Sequence, residues 1–137
     1  MGARRSGREV ALQVLFQVEL TQQTGERALQ LFWQHHEGDP EGRSYAETLV
    51  LGVERELVAV DEKLRAASTH WRLERMARID RNLLRMGAWE LLHQTEVPIA
   101  VVIDECIELA KSFGTDDSPS FVNGVLNRVA ELALTRA

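Results

Sequence analysis

Residues 110–126 form the stretch AKSFGTDDSPSFVNGVL, which is typical of a helix that ends, an acidic turn, and a second helix that begins. Gly114 stands where a left-handed residue closes many helices. Ser118 is suited to cap the next helix, and Pro119 suits its first position. Capping accounts neither for two aspartates before Ser118 nor for the Asn-Gly pair inside an apolar helix. Because capping does not require these polar residues, they predict a surface that another molecule recognises.

Helical periodicity continues along the chain, and the alternation typical of strands is nearly absent. We expect a first helix from about Ser6 to Gln23, and a later one that opens with a capping box of Ser44 and Glu47. The clearest apolar stripe repeats at three and four residues, through Leu49, Val53, Leu57, Val60 and Leu64. The pattern predicts one all-α domain, residues 1–137: a compact bundle of seven helices, with sub-bundles at roughly 1–70 and 71–137.

Composition limits the class of protein. A chain of 137 residues with 45% hydrophobic content is suited to one domain with a buried core. Apolar runs are far shorter than the roughly 20 residues of a membrane span, and the Arg-rich N-terminus lacks the apolar core of a signal peptide. A single cysteine, Cys106, allows no internal disulfide and favours a reducing compartment. We expect a cytoplasmic protein without membrane contact.

The net charge of −5 conceals two basic segments. Residues 1–8 contain three arginines and no acidic residue, and residues 72–85 contain five arginines against two acidic residues. The planar guanidinium suits forked contacts with phosphate and stacking on bases. An acidic protein with local basic segments is suited to bind a short anionic segment at one place. On charge alone, a solvated surface is an equally good interpretation.

Catalytic and metal chemistry has little support in the residue pattern. The adjacent His35 and His36 point about 100° apart on a helix, a poor geometry for one metal ion. Cys106 falls on the apolar side of its helix, as a buried and inert thiol does. Asp104 and Glu108 fall on the polar face of the same helix, where acids near the N-terminal turns favour the helix dipole. We expect no enzyme activity, no metal and no cofactor.

Four segments occur in a fixed order without large insertions. They are RRSGRE with ALQVLFQ (residues 4–17), WRLERM (71–76), IDRNLLR with WELL (79–92), and VPIAVVIDE with ELAK continuing into FVNGVL (97–126). Together they resemble the NusB family of bacterial transcription antitermination factors along essentially the whole chain. That family usually has alanine at the position of Gly7 and tyrosine at those of Phe16 and Trp89. Because glycine weakens a helix by about 1 kcal/mol, we expect the regular helix to begin after Gly7.

The resemblance implies a non-enzymatic RNA-binding adaptor. NusB-like proteins bind the single-stranded boxA element of ribosomal RNA leaders together with NusE, a small-subunit ribosomal protein. The pair joins other Nus factors on RNA polymerase and suppresses termination. For this chain the resemblance therefore implies boxA-type RNA, NusE and the antitermination complex as partners.

Candidate contact residues fall into three groups. Near the N-terminus, three arginines offer phosphate contacts: Arg4, Arg5 and Arg8. Further along the same helix, Gln13 offers a hydrogen bond and Phe16 offers a face on which a base can stack. In the second half, four residues match family positions near the RNA, where acids can accept hydrogen bonds from bases: Asp80, Arg81, Asp117 and Phe121. We expect NusE to contact the region of Glu74 and Arg75.

Each of these assignments has a structural alternative. Phe16 and Phe121 could belong to the core, and Asp80 and Asp117 could merely cap helices, with Arg81 solvated. For the whole chain, the alternative is a protein-binding or self-associating helical module without direct RNA recognition. A homodimer also remains open, because some members of the family pair through the surface used for RNA.

Overall fold

The computed structural model describes residues 2–134, so residue 1 and residues 135–137 of the expected domain lie outside it. Over that range the chain forms seven α-helices and no β-strand, as the periodicity predicted. The helices are α1 (Ala3–Thr21), α2 (Gly25–His35), α3 (Pro40–Arg55), α4 (Leu57–Ala67), α5 (Arg78–His93), α6 (Ile99–Phe113) and α7 (Ser118–Leu134). A 3-10 turn, Leu73–Arg75, lies between α4 and α5. None of the described helices has the length and hydropathy needed to cross a membrane.

The chain divides into two units, Met1–Arg55 and Glu56–Ala137, so the division lies before α4 rather than near residue 70. Helix α4 belongs to the second unit because it packs against α5 and α7. The apolar stripe from Leu49 to Leu64 is typical of one continuous helix, but it belongs to two helices, α3 and α4, which are separated by a break at Glu56. Leu49 is buried in the first unit and Leu64 in the second. A short break between consecutive helices leaves the spacing of apolar residues intact, and periodicity alone therefore does not reveal it.

In the first unit, α1 and α3 approach closely at a glycine. Gly7 lies inside α1, which begins at Ala3, so the expected start after Gly7 is wrong. A Cβ atom at Gly7 would lie 2.9 Å from Tyr45 Cβ and 3.0 Å from the Gly42 carbonyl oxygen. Close packing with α3 therefore outweighs the poor helix propensity of glycine.

The ends of α1 and α3 also differ from the expected ones. Helix α1 ends at Thr21, and Gln22 closes it in the left-handed conformation with φ 63°. Helix α3 begins at Pro40, well before the expected capping box at Ser44. Asp39 caps it instead, because its Oδ1 accepts the Gly42 backbone N–H at 2.6 Å.

In the second unit, α5 packs against α4, α6 and α7, and α7 likewise packs against α4, α5 and α6. The buried face of α5 includes Leu83, Leu84 and Met86. The Arg85 guanidinium forms a forked pair with Asp61 of α4, with Nε–Oδ1 and Nη2–Oδ2 distances of 2.9 Å. The two residues are 24 positions apart in the sequence, so this pair depends on the packing of α4 against α5.

The turn between α6 and α7 also departs from the sequence prediction. Gly114 is extended, with φ −98° and ψ −163°, and is not a left-handed cap. Glycine is needed there because a Cβ atom would lie 2.6 Å from Ser118 Cβ. Ser118 is the first residue of α7 rather than its cap, and the Asp117 carbonyl accepts the Phe121 N–H at 3.1 Å.

Candidate nucleic-acid interface

Two grooves of the second unit share one pair of aromatic rings in their linings. The main groove encloses about 790 Å³ and is lined by His70, Trp71, Arg72, Arg75, Met76, Ala77, Asp80, Asp117, Ser120 and Phe121. The side groove encloses about 320 Å³ and is lined by Ala67, Ser68, Thr69, His70, Trp71, Ser120, Phe121, Gly124 and Val125. Three of the residues predicted to contact RNA, Asp80, Asp117 and Phe121, therefore share one groove.

The aromatic pair that lines both grooves is Trp71 with Phe121. Their ring centroids are 5.8 Å apart and the rings are nearly perpendicular, at 81°. Phe121 is half-buried, whereas 62% of the Trp71 surface is exposed. An indole with this much surface in water contributes little to a core, so its faces are available for stacking.

The main-groove wall that carries Trp71 is the segment between α4 and α5, and two anchors hold it. Leu73 is buried in the second unit. The Arg81 guanidinium donates to the carbonyl oxygens of Leu73 and Met76 at 3.1 and 2.9 Å. Arg81 thus contributes to the shape of the groove, whether or not it also touches a ligand.

Asp80 is oriented by a buried hydroxyl. Ser118 Oγ donates to Asp80 Oδ1 at 2.6 Å and accepts the Thr115 backbone N–H at 3.0 Å. Ser118 is only 1% exposed, and Gly114 leaves the space that it occupies. A short hydrogen bond to a carboxylate is among the stronger neutral–charged contacts in proteins. The Asp80 carboxylate is therefore fixed where it lines the main groove.

The two predicted NusE contacts lie in different surroundings. Arg75 lines the main groove together with the RNA candidates. Glu74 is exposed and forms an ion pair with Arg65 at 3.4 Å. A hydrogen bond from its own backbone N–H is the main cause that lowers the pKa of Glu74, and the positive charge of Arg65 adds to it. Glu74 therefore remains charged at neutral pH.

The N-terminal candidates lie in the first unit and are not equivalent. Arg4 and Arg5 are exposed, but Arg8 is only 3% exposed. The guanidinium carbons of Arg4 and Arg8 lie 5.4 and 5.6 Å from the centroid of the Tyr45 ring. Arg8 is thus packed beside the Tyr45 ring as a cation–π partner, and its contact with phosphate stays a prediction that its burial disfavours.

The remaining first-unit candidates, Gln13 and Phe16, also differ in exposure. Gln13 is exposed, and its side-chain nitrogen donates to the Glu9 carbonyl at 3.2 Å. Phe16 is half-buried. Their contact with RNA stays a prediction. Among the described residues, no three His, Cys, Asp or Glu side chains are grouped as metal ligands.

The structure adds groove residues that the motif comparison did not assign to RNA. His70, Trp71 and Arg72 were not among the predicted RNA contacts, although all three line the main groove. The sequence did contain a signal for an RNA contact here, because a tryptophan is followed by an arginine in a short segment without apolar periodicity. Only the structure shows that this ring faces solvent.

Comparison with known proteins identifies the family. The family model described as the NusB family matches residues 5–131. The transcription antitermination protein NusB of Sorangium cellulosum (strain So ce56) is 59% identical over 131 residues, which cover 96% of this chain and 94% of the relative. The corresponding protein of Myxococcus xanthus (strain DK1622) is 45% identical over 134 residues, with 95% and 96% covered. The structure of T. maritima NusB superposes with a TM-score of 0.83 at 35% identity, covering 93% of this chain and 90% of the other. The chain belongs to the NusB family, as the order of its four sequence segments predicted.

Proposed function

We propose that the chain is an RNA-binding adaptor in transcription antitermination, and that the main groove holds bases of a single-stranded, boxA-type RNA. The exposed ring of Trp71, set edge-to-face against Phe121, carries this proposal. Proteins bind single-stranded RNA by stacking its unpaired bases on aromatic side chains and by polar contacts to base edges. The main groove offers both kinds of contact.

The acidic and the basic side chains of the main groove contact different parts of the RNA. Asp80 and Asp117 accept hydrogen bonds from base amino groups and disfavour bases that lack a donor there. A carboxylate has two oxygens, so Asp80 can be held through Oδ1 by Ser118 and still accept from a base through Oδ2. Arg72 and Arg75 contact phosphates.

The first unit contributes affinity that does not depend on base sequence. Arg4 and Arg5 are exposed on the first turn of α1, where free backbone N–H groups also favour anions. Each arginine that neutralises a phosphate releases a counterion, which makes binding weaker as salt rises. Gln13 and Phe16 add polar and apolar contacts along the same helix.

NusE is the proposed protein partner, and through it the chain joins RNA polymerase and the other Nus factors. A solved complex contains the antitermination factors NusB and NusE with double-stranded RNA. The matched chain of that complex has the fold of this protein, with a TM-score of 0.87 at 22% identity over 96% of this chain and 98% of the other. Glu74 is the better candidate for a contact used by NusE alone, because Arg75 also lines the main groove. Substitution of Arg75 should therefore weaken both RNA and NusE binding.

The deciding experiment compares Trp71→Ala and Trp71→Phe in binding to a fluorescent boxA-type RNA, with and without NusE. Stacking of a base contributes about 1–3 kcal/mol, so loss of the ring should weaken binding roughly 5- to 150-fold, and phenylalanine should restore most of it. Phe113→Ala is the matched control, since it removes an exposed aromatic ring of the same unit that lines neither groove.

Two results would contradict the proposal. If Trp71→Ala and Phe113→Ala bind RNA equally well, the aromatic pair is not the RNA-binding surface. If wild type binds no RNA under any condition but forms concentration-dependent dimers that Trp71→Ala abolishes, the exposed ring serves self-association. Light scattering on the same samples distinguishes that second case.

A further inference from the structure

Gly124 in α7 has no structural explanation in the fold. Glycine inside a helix is less stable than alanine, so it is usually retained for a close approach or an unusual backbone angle. A Cβ atom at Gly124 would meet nothing within 4 Å, whereas at Gly87, on α5, it would lie 2.8 Å from Leu126. Gly124 is also an ordinary helical residue. Its missing side chain leaves open space rather than permitting a contact.

That open space is the side groove. Gly124 and Val125 form part of its lining on α7. His70, Trp71, Ser120 and Phe121 line both grooves, so the two share the aromatic pair. Consecutive bases of a strand are joined by one backbone unit, so the neighbour of a base held against this pair in the main groove can reach the side groove.

We propose that the side groove is a second nucleotide subsite, which receives the base adjacent to the one held in the main groove. This inference rests on the proposed RNA-binding function. The base would lie over Gly124 and against the aromatic pair that the two grooves share. Any side chain at position 124 would project into the space that the base needs.

The chemistry of the side groove fits a stacked base rather than a base recognised by its edge. None of its nine lining residues carries a carboxylate, whereas the main groove contains Asp80 and Asp117. Its only ionisable lining residue is His70, which is exposed. Its volume of about 320 Å³ is at the lower end of the range for small-ligand sites. Stacking on an aromatic face tolerates any base, so this subsite adds affinity without selecting sequence.

The test combines Gly124→Leu with a set of boxA-type RNAs in which one nucleotide at a time is made abasic. In wild type, removal of the base in the side groove should weaken binding roughly 5- to 150-fold, the usual contribution of one stacked base. In Gly124→Leu, the intact RNA should bind that much more weakly, and removal of the same base should have no further effect. Such loss of additivity is the signature of two groups that occupy one space.

Ala100→Leu is the matched control, because it adds the same side chain at an exposed helical position that lines neither groove. It should bind every RNA as wild type does. Thermal unfolding of Gly124→Leu should be no worse than that of wild type, because leucine favours the helix.

The outcomes separate this inference from the function on which it rests. If wild type binds RNA and Gly124→Leu matches it on every RNA, the subsite does not exist, although the proposed function stands. If Gly124→Leu weakens all RNAs equally, abasic or not, the inference is also overturned. If Gly124→Leu loses NusE but keeps RNA, the groove receives a side chain of the partner protein. Absence of RNA binding by wild type would instead overturn the proposed function.

Discussion

The close contact between α1 and α3 predicts that Gly7→Ala destabilises the protein, although alanine is the better helix former. A Cβ atom at this position would lie 2.9, 3.0 and 3.1 Å from Tyr45 Cβ, the Gly42 carbonyl oxygen and the Ala46 backbone nitrogen. All three atoms belong to, or are attached directly to, the α3 backbone. No rotamer change can relieve the contact, so the two helices must move apart.

The expected magnitude is a difference of two opposing effects. Alanine in place of glycine inside a helix contributes at most about 1 kcal/mol. Overpacking of a tightly packed contact costs about 1–3 kcal/mol. The net result should be a loss of roughly 0.5–2 kcal/mol in the free energy of unfolding. Movement of α1 would also disturb the buried residues Ala11 and Leu12, which lie in the same helix.

The assay is urea unfolding followed by circular dichroism at the helical band, with the free energy extrapolated to water. Gly124→Ala is the matched control, because a Cβ atom there meets nothing within 4 Å. This control should gain up to about 1 kcal/mol. If Gly7→Ala proves as stable as wild type, or more so, the argument from the α1–α3 contact is refuted. The family's usual alanine would then be tolerated here without any adjustment.

Three further predictions concern the candidate interface. Ser118→Ala removes the 2.6 Å hydrogen bond to Asp80 and should lower the free energy of unfolding by about 1.5–3 kcal/mol; urea unfolding and RNA titration should both register the change, and an unaltered RNA affinity would mean that Asp80 needs no support. Arg4→Ala with Arg5→Ala should flatten the slope of log K against log salt by roughly 1 to 1.5, from two lost phosphate contacts on single-stranded RNA; an unchanged slope would exclude those contacts. Asp117→Asn should raise RNA affinity and reduce discrimination among boxA variants, with a stability change below about 0.5 kcal/mol. A large stability loss with unaltered RNA binding would make Asp117 a structural residue.

The helical class and the family followed from the sequence because both rest on one-dimensional patterns. Apolar spacing of three and four residues depends on helix geometry alone, and it predicted seven helices, which the described residues form. The order of four motifs predicted the family, which the comparisons confirm. Membership of a family of transcription antitermination proteins also confirms the prediction of a non-enzymatic protein.

The environment of single side chains did not follow from the sequence. Arg8 and Arg4 are separated by about one helical turn, and both were expected to meet phosphate. Only Arg4 is exposed; Arg8 is buried in the first unit with the Tyr45 ring beside it. Helical spacing gives the face that a residue occupies, but it does not say which distant segment covers that face.

The same limit applies to the turn before α7. The sequence correctly placed a turn there, because glycine, aspartate, serine and proline are local signals. It could not show that Ser118 bonds to Asp80, 38 positions earlier, or that Gly114 is needed to make room for Ser118. The sequence by itself determined the helical class and the family, whereas tertiary packing decided which arginines are exposed and which residues form the grooves. The physical reason is that local backbone preferences act within a few residues, while burial and hydrogen bonding depend on segments that only the folded chain brings together.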